Sequence, residues 1–193
     1  YIYLIFAFLY MPIAVLMVYS FNDARSRGMW GGFTLRWYVE LFQDRTIMHS
    51  LYATLIIGAS SAVLATIIGT MAAIGIHNSK GPAKKVIMNV TYLPVLNPEI
   101  VTAISLMLLF VFTRVRFGYL TLLLSHISFN VPYVILSVLP KLRQLNKHLY
   151  EAALDLGCTP LQALWKVIIP EIMPGIVTGL LLAFTLSIDD FVI

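Results

Sequence analysis

Between residues 46 and 79 the chain carries no Asp, Glu, Lys or Arg, and that run limits what it can fold into. A helix crosses the hydrocarbon core of a bilayer with about 20 apolar residues. Only helices and closed barrels suit that setting, because no water is present to satisfy stray backbone polar groups. Within the run, Ser61, Ala65, Gly69 and Ala73 recur every four residues. They make one face small enough for a neighbouring helix to approach closely.

Four further stretches have the same character. Residues 1–22 are uncharged; residues 86–112 are apolar apart from the interruption by Pro94, Pro98 and Glu99. Residues 119–139 enclose His126, Asn130 and Pro132, and a last run starts near Ile172 with Gly175 and Gly179 in a GxxxG spacing. The first run has no basic flank and no small-residue cleavage site, so it reads as a span and not as a secretory signal. Composition agrees: 60% of residues are hydrophobic and 11% charged, where soluble domains carry roughly a quarter charged. The expected fold is an all-α polytopic membrane helix bundle, one transmembrane domain over residues 1–193. Five spans are visible, and the chain, which starts at Tyr1 and stops inside an apolar run, reads as a fragment of a longer protein.

Several function classes drop out. One cysteine, Cys158, excludes an internal disulfide framework, and His49, His77, His126 and His148 are scattered without metal-ligand spacing. The formal charge of +4 lies mostly in loops and reads as membrane topology, not nucleic-acid affinity. No GxxxxGK[ST] is present, so this chain does not itself hydrolyse ATP. No zinc motif or nucleophile constellation appears. Asp189-Asp190 lacks the further acidic repeat of membrane prenyl-transfer enzymes and the second in-span aspartate of an intramembrane protease. A passive channel is opposed only by the loop described next.

That loop, EAALDLGCTPLQALWKVIIPEIMP over residues 151–174, is a polar and apolar mixture trapped between two spans. Leu145, Leu149, Ala152, Ala153 and Leu156 continue a helical pattern, and Gly157 stands where a helix end favours a residue without Cβ. Thr159 is an N-cap, Pro160 suits the first helical position, and Gln162 completes a capping box. Leu161, Leu164, Trp165 and Ile168 then follow at i, i+3, i+4 and i+7, predicting one apolar face. Pro170 and Pro174 predict the end of this short helix. A helix, a glycine turn and a short amphipathic helix on a membrane surface is a shape for docking into another protein.

The spacing of Glu151, Ala152, Ala153, Gly157 and the closing Val167-Ile168-Ile169-Pro170 resembles the EAA signature of permease subunits of ATP-binding-cassette importers of type I. The family pattern has isoleucine, any residue, leucine and proline at the last four positions, so the substitutions keep branched apolar side chains. The resemblance implies a coupling loop at about residues 141–171, cytoplasmic, seated in a cleft of an ATPase subunit, and a sixth span beyond Ile193. It also settles the orientation, which charge leaves nearly tied. Lys80, Lys84, Lys85, Lys141, Arg143, Lys147 and Lys166 lie on one side; Arg25, Arg27, Arg36, Arg45, Arg114 and Arg116 lie on the other. The lysine-rich side is then cytoplasmic, and residues 23–50 are external.

Ionisable groups at membrane depth are costly and default to a functional reading. Three carboxylates qualify: Glu99, Asp189 and Asp190. At ~1.5 Å rise per residue, Glu99 lies about 21 Å past Lys85 and Asp189 about 28 Å past Pro170 on straight helices. Both fall in the outer half of the membrane, with no Lys or Arg in the same spans to neutralise them, which suggests a cavity for a cation. Anionic cargo would call for basic residues in the spans, and there are none.

The stretches FNDARSRGMWGGFTLRWY, NPEIVTAISLMLLF, SHISFNVPY and FTLSIDDFVI are similar to the C-type permease subunits of bacterial spermidine/putrescine importers, over nearly the whole chain. That resemblance implies Trp37, Glu99, Ser187, Asp189 and Asp190 along the substrate path and Glu151 at the coupling position. Glu99 replaces an aspartate common there. The implied partners are two copies of an ATPase, which would hold ATP and magnesium, a second permease subunit, an external binding protein, polyamine cargo and the bacterial inner membrane, with no nucleic acid and no cofactor in this chain. Sister importers of iron, sulfate or phosphonate are the alternative. A flexible polycation suits separated carboxylates and aromatic faces, cation–π contact being worth roughly 0.5–2 kcal/mol. Other readings stay open at these residues. Trp30, Trp37 and Tyr38 also suit an interfacial aromatic belt, Asp190 a helix exit and Glu99 a half-helix N-terminus. His126 and Asn130 suit interhelical hydrogen bonds.

Overall fold

The charge-free runs become helices in the computed structural model, which describes residues 1–24, 28–146 and 148–189. The chain forms two compact units, Tyr1–Ala53 and Thr54–Ile193. The first holds α1 (Ile2–Tyr19), the short α2 (Arg36–Gln43) and the start of α3 (Arg45–Asn78). Residues 23–50, expected to be a polar interlude, thus contain a helix and the beginning of a span.

The second unit continues α3 and adds α4 (Pro82–Leu96), α5 (Glu99–Phe112), α6 (Tyr119–Gln144), α7 (His148–Asp155), α8 (Pro160–Ala163) and α9 (Ile169–Asp189). Four helical stretches are long and apolar enough to cross a membrane: α1, α3, α6 and the continuous run Pro160–Asp189. The pair α4 and α5 makes a fifth if taken as one span, bent by 107° at Asn97 and Pro98. Proline explains that break: residue 97 is pushed to an extended backbone by the ring that follows it, and Asn97 has ψ 144°.

The core lies where α3, α6 and α9 meet. Ala62, Ala65, Val134, Val138, Ile172 and Ala183 are almost fully buried there. Small residues permit it. A Cβ on Gly69 would stand 2.7 Å from Val134 Cβ, and one on Gly179 would stand 3.2 Å from Val134 Cγ1. The four-residue stripe of α3 and the GxxxG of α9 are both packing faces, with Ser61, Ala65, Gly69, Ala73, Gly175 and Gly179 all buried. Lipid tails are as apolar as leucine, so close backbone approach and dispersion, not water exclusion, hold such helices together.

One expectation fails in the loop region. Pro170 and Pro174 do not end the short helix: α8 runs through a π-turn at Leu164–Ile168 directly into α9. The Ile169 N–H reaches back to the Leu164 carbonyl, an i to i−5 bond that widens the turn. Pro170 then falls in the first turn of α9, where a missing N–H is tolerated. Only part of the expected apolar face is covered. Ile168 is buried and Leu164 half-buried, whereas Leu161 and Trp165 are 65% and 63% exposed.

Candidate functional site

Glu99 opens α5 directly after the bend. The bend falls just before it, so Glu99 sits at a corner at the far end of α4, and the chain beyond it leaves in a new direction. The carboxylate at this helix N-terminus meets the positive end of the backbone dipole. Its charge is also within reach of the Tyr133 hydroxyl on α6. Tyr133 carried no signal in the sequence. Its ring stacks obliquely on Phe129, centroids 5.3 Å apart.

One turn earlier on α6, Asn130 is fully buried and its Nδ2 donates to Ser187 Oγ at 2.7 Å. Ser187 Oγ in turn lies 2.9 Å from Ser61 Oγ of α3. Ser187 is thus a buried link among three helices. The expectation that Asn130 makes an interhelical hydrogen bond is met, and Asn130 Oδ1 accepts no hydrogen bond within the described residues. Two residues after Ser187, Asp189 closes α9 with an exposed side chain. Asp190 lies outside the described residues.

Among the described residues, no ion pair involves Glu99 or Asp189. The α6 segment touches Ser187, two residues before Asp189, through Asn130. Each carboxylate thus stands without a cationic partner at a helix terminus, Glu99 at the start of α5 and Asp189 at the end of α9, and uncompensated negative charge attracts cations.

Trp37 belongs to the first unit. Its indole N–H donates to the Asn22 carbonyl at 2.9 Å, and the Arg36 guanidinium sits 4.6 Å from its ring centroid. Asn22, 2% exposed, organises the glycine-rich loop around it. Its Nδ2 donates to the Met29 carbonyl, and its Oδ1 accepts from the Gly31 N–H at 2.7 Å. Arg36 also pairs with Asp23 and Glu40. One face of Trp37 is therefore already held by a cation of this chain.

The loop between α6 and α9 forms as its residues dictate. Gly157 has φ +86°, and the Cys158 and Gly157 N–H groups return to the carbonyls of Ala153 and Leu154. This is the paired bonding of a glycine-ended helix. Thr159 and Gln162 cap the next helix reciprocally, at 3.0 and 3.4 Å. Ala153 packs inward, while Ala152 and Glu151 are exposed, Glu151 3.2 Å from the His148 ring nitrogen. Leu156, Leu161 and Trp165 project from this elbow with most of their surface free.

Comparison with known proteins decides what the bundle is. The family model for the binding-protein-dependent transport system inner membrane component matches residues 65–193. The chain belongs to this family. It is a permease subunit of the inner membrane, part of a transporter and not an enzyme. Among similar proteins is the spermidine/putrescine transport system permease protein PotC of Haemophilus influenzae, 35% identical over 193 residues, covering 100% of this chain and 75% of the relative. PotC of Escherichia coli K12 is 36% identical over 189 residues, covering 98% and 72%. The putrescine transport system permease protein PotI of the same strain is 39% identical over 200 residues, covering 97% and 69%. As the family description states, transport of this kind depends on a binding protein.

Proposed function

We propose that this permease subunit carries polyamines, spermidine or putrescine, inward by alternating access, driven by a separate ATPase through the elbow at residues 151–170. The observation that supports the cargo is that Glu99 and Asp189, at the termini of two apolar helices, have no ion-pair partner among the described residues. Amines separated by methylene spacers match separated carboxylates, and Asp190 is placed by sequence beside Asp189. Trp37 serves the external approach, where its Arg36 partner is the group an arriving ammonium displaces. Ser187 acts by position: anchored to Ser61 and Asn130, it fixes where α9 delivers Asp189. Two ATPase copies, binding ATP and magnesium, grip this elbow and that of a second permease subunit, and an external binding protein delivers cargo. Glu151, Ala152, Ala153, Gly157 and Pro170 are the coupling residues.

The test is uptake into vesicles holding the purified complex, with labelled spermidine, putrescine, ferric ion and sulfate, each with and without ATP. Spermidine or putrescine accumulation that needs ATP supports the reading. Accumulation of ferric ion or sulfate alone assigns the chain to a sister importer. Asp189→Asn is expected to cut polyamine uptake at least about tenfold, the effect of ~1.4 kcal/mol, with assembly intact. Unchanged uptake in both Asp189→Asn and Glu151→Ala ends the site assignment.

A further inference from the structure

We propose that a cavity at the ends of α3 and α6, beside the elbow, binds the phosphate headgroup of an anionic phospholipid. This assignment rests on the chain's place in a membrane and not on its cargo.

The cavity measures about 640 Å³, within the ~300–1,000 Å³ usual for small-molecule sites. The two spans that line it end here, α3 at Asn78 and α6 at Gln144, and Tyr150, Pro160 and Leu161 of the elbow close the other side, so the cavity opens where spans leave the bilayer. Its polar side is cationic and amide-rich: Arg143, with His77, Asn78 and Asn146. Lys84 stands next to it, its Nζ donating to the His77 carbonyl at 3.1 Å. Each helix C-terminus contributes only about half a negative charge, so two full cations leave the mouth net positive. No carboxylate lines the cavity, which argues against a bound polycation.

The other wall decides between a lipid and a free anion. Ile74, Leu142, Leu145, Leu164 and Ile168 form a continuous apolar surface, which inorganic phosphate has no use for and the glycerol and first methylenes of a lipid do. Basic pockets between span ends are a recurrent way to hold anionic headgroups. The wall also includes two residues of the π-turn, Leu164 and Ile168. A lipid seated here therefore touches the segment joining the elbow to α9.

The experiment places a photo-crosslinking benzoylphenylalanine at position 145 in the intact transporter. The transporter is held in nanodiscs of phosphatidylcholine with a minority of phosphatidylglycerol. A second probe at position 120, on the exposed outer part of α6, reports the bulk lipid. The expected result is phosphatidylglycerol captured at position 145 well above its bulk share, and at its bulk share at position 120. Arg143→Gln is expected to lower the enrichment about fivefold, the effect of one basic residue near an anionic surface. Lys84→Gln gives the same direction and stands in if the first variant does not assemble. Capture at the bulk share, capture of another subunit in place of lipid, or loss of the enrichment on adding inorganic phosphate each overturns the assignment. None of these readouts depends on which solute is transported.

Discussion

α6 and α5 are both apolar helices of the second unit, yet they differ in how they are held. Half of the most apolar stretch of α6 is buried, with Val134 and Val138 wholly enclosed, whereas α5 buries no residue at all. Hydrophobicity does not distinguish them, since α5 is a run of Ile, Val, Leu, Met and Phe. What α6 has, and α5 lacks, is a partner surface of small residues: Gly69 on α3, Gly175 and Gly179 on α9. In lipid, shape and hydrogen bonding select which helices pack. The consequence for the site is that Asp189 hangs from a clamped helix and Glu99 from a loosely held one.

The contrast can be broken most forcefully at Gly69. Gly69→Leu drives a side chain into Val134 and is expected to destabilise the purified permease by about 3 kcal/mol or more, read as a lowered thermal midpoint in detergent. Leu108→Ala on α5, by comparison, is expected to stay within about 0.5 kcal/mol. An equal loss from both would erase the distinction. Next in size, Asn130→Ala removes the link to Ser187 and is expected to cost about 1–2 kcal/mol. It should also weaken polyamine uptake, because α9 loses the contact that fixes its end. Gly157→Ala is expected to cost about 1 kcal/mol, since φ +86° suits glycine, and to lower ATPase coupling in proteoliposomes. A small effect of opposite sign is expected at the turn that follows α5. Arg114 takes φ 55° after α5, and Arg114→Gly should raise the thermal midpoint by no more than the equivalent of about 1 kcal/mol, relieved strain being offset by glycine's greater unfolded freedom.

Much of this bundle was readable in the residues. The charge-free run through Gly69 became α3, the four-residue stripe became its packing face, and Thr159 with Gln162 capped α8 as their spacing demands. What escaped was everything that depends on backbone departing from the regular helix. The π-turn before Pro170 let a helix continue past two prolines. The bend at Asn97 and Pro98 turned α5 away from the line of α4, with Glu99 at the corner. Tyr133 beside Glu99, and the burial of Ser187 against Ser61, arise from contacts between distant segments that no local pattern encodes.

The unbroken run from Pro160 to Asp189 has a mechanical meaning. At ~1.5 Å per residue it is a rod about 45 Å long, with the elbow's exposed Leu161 and Trp165 at one tip and a carboxylate at the other. Gly175 and Gly179 rest on α6 near the middle, where a fulcrum belongs. A shove at the near tip would arrive at the far one as a swing in the opposite sense.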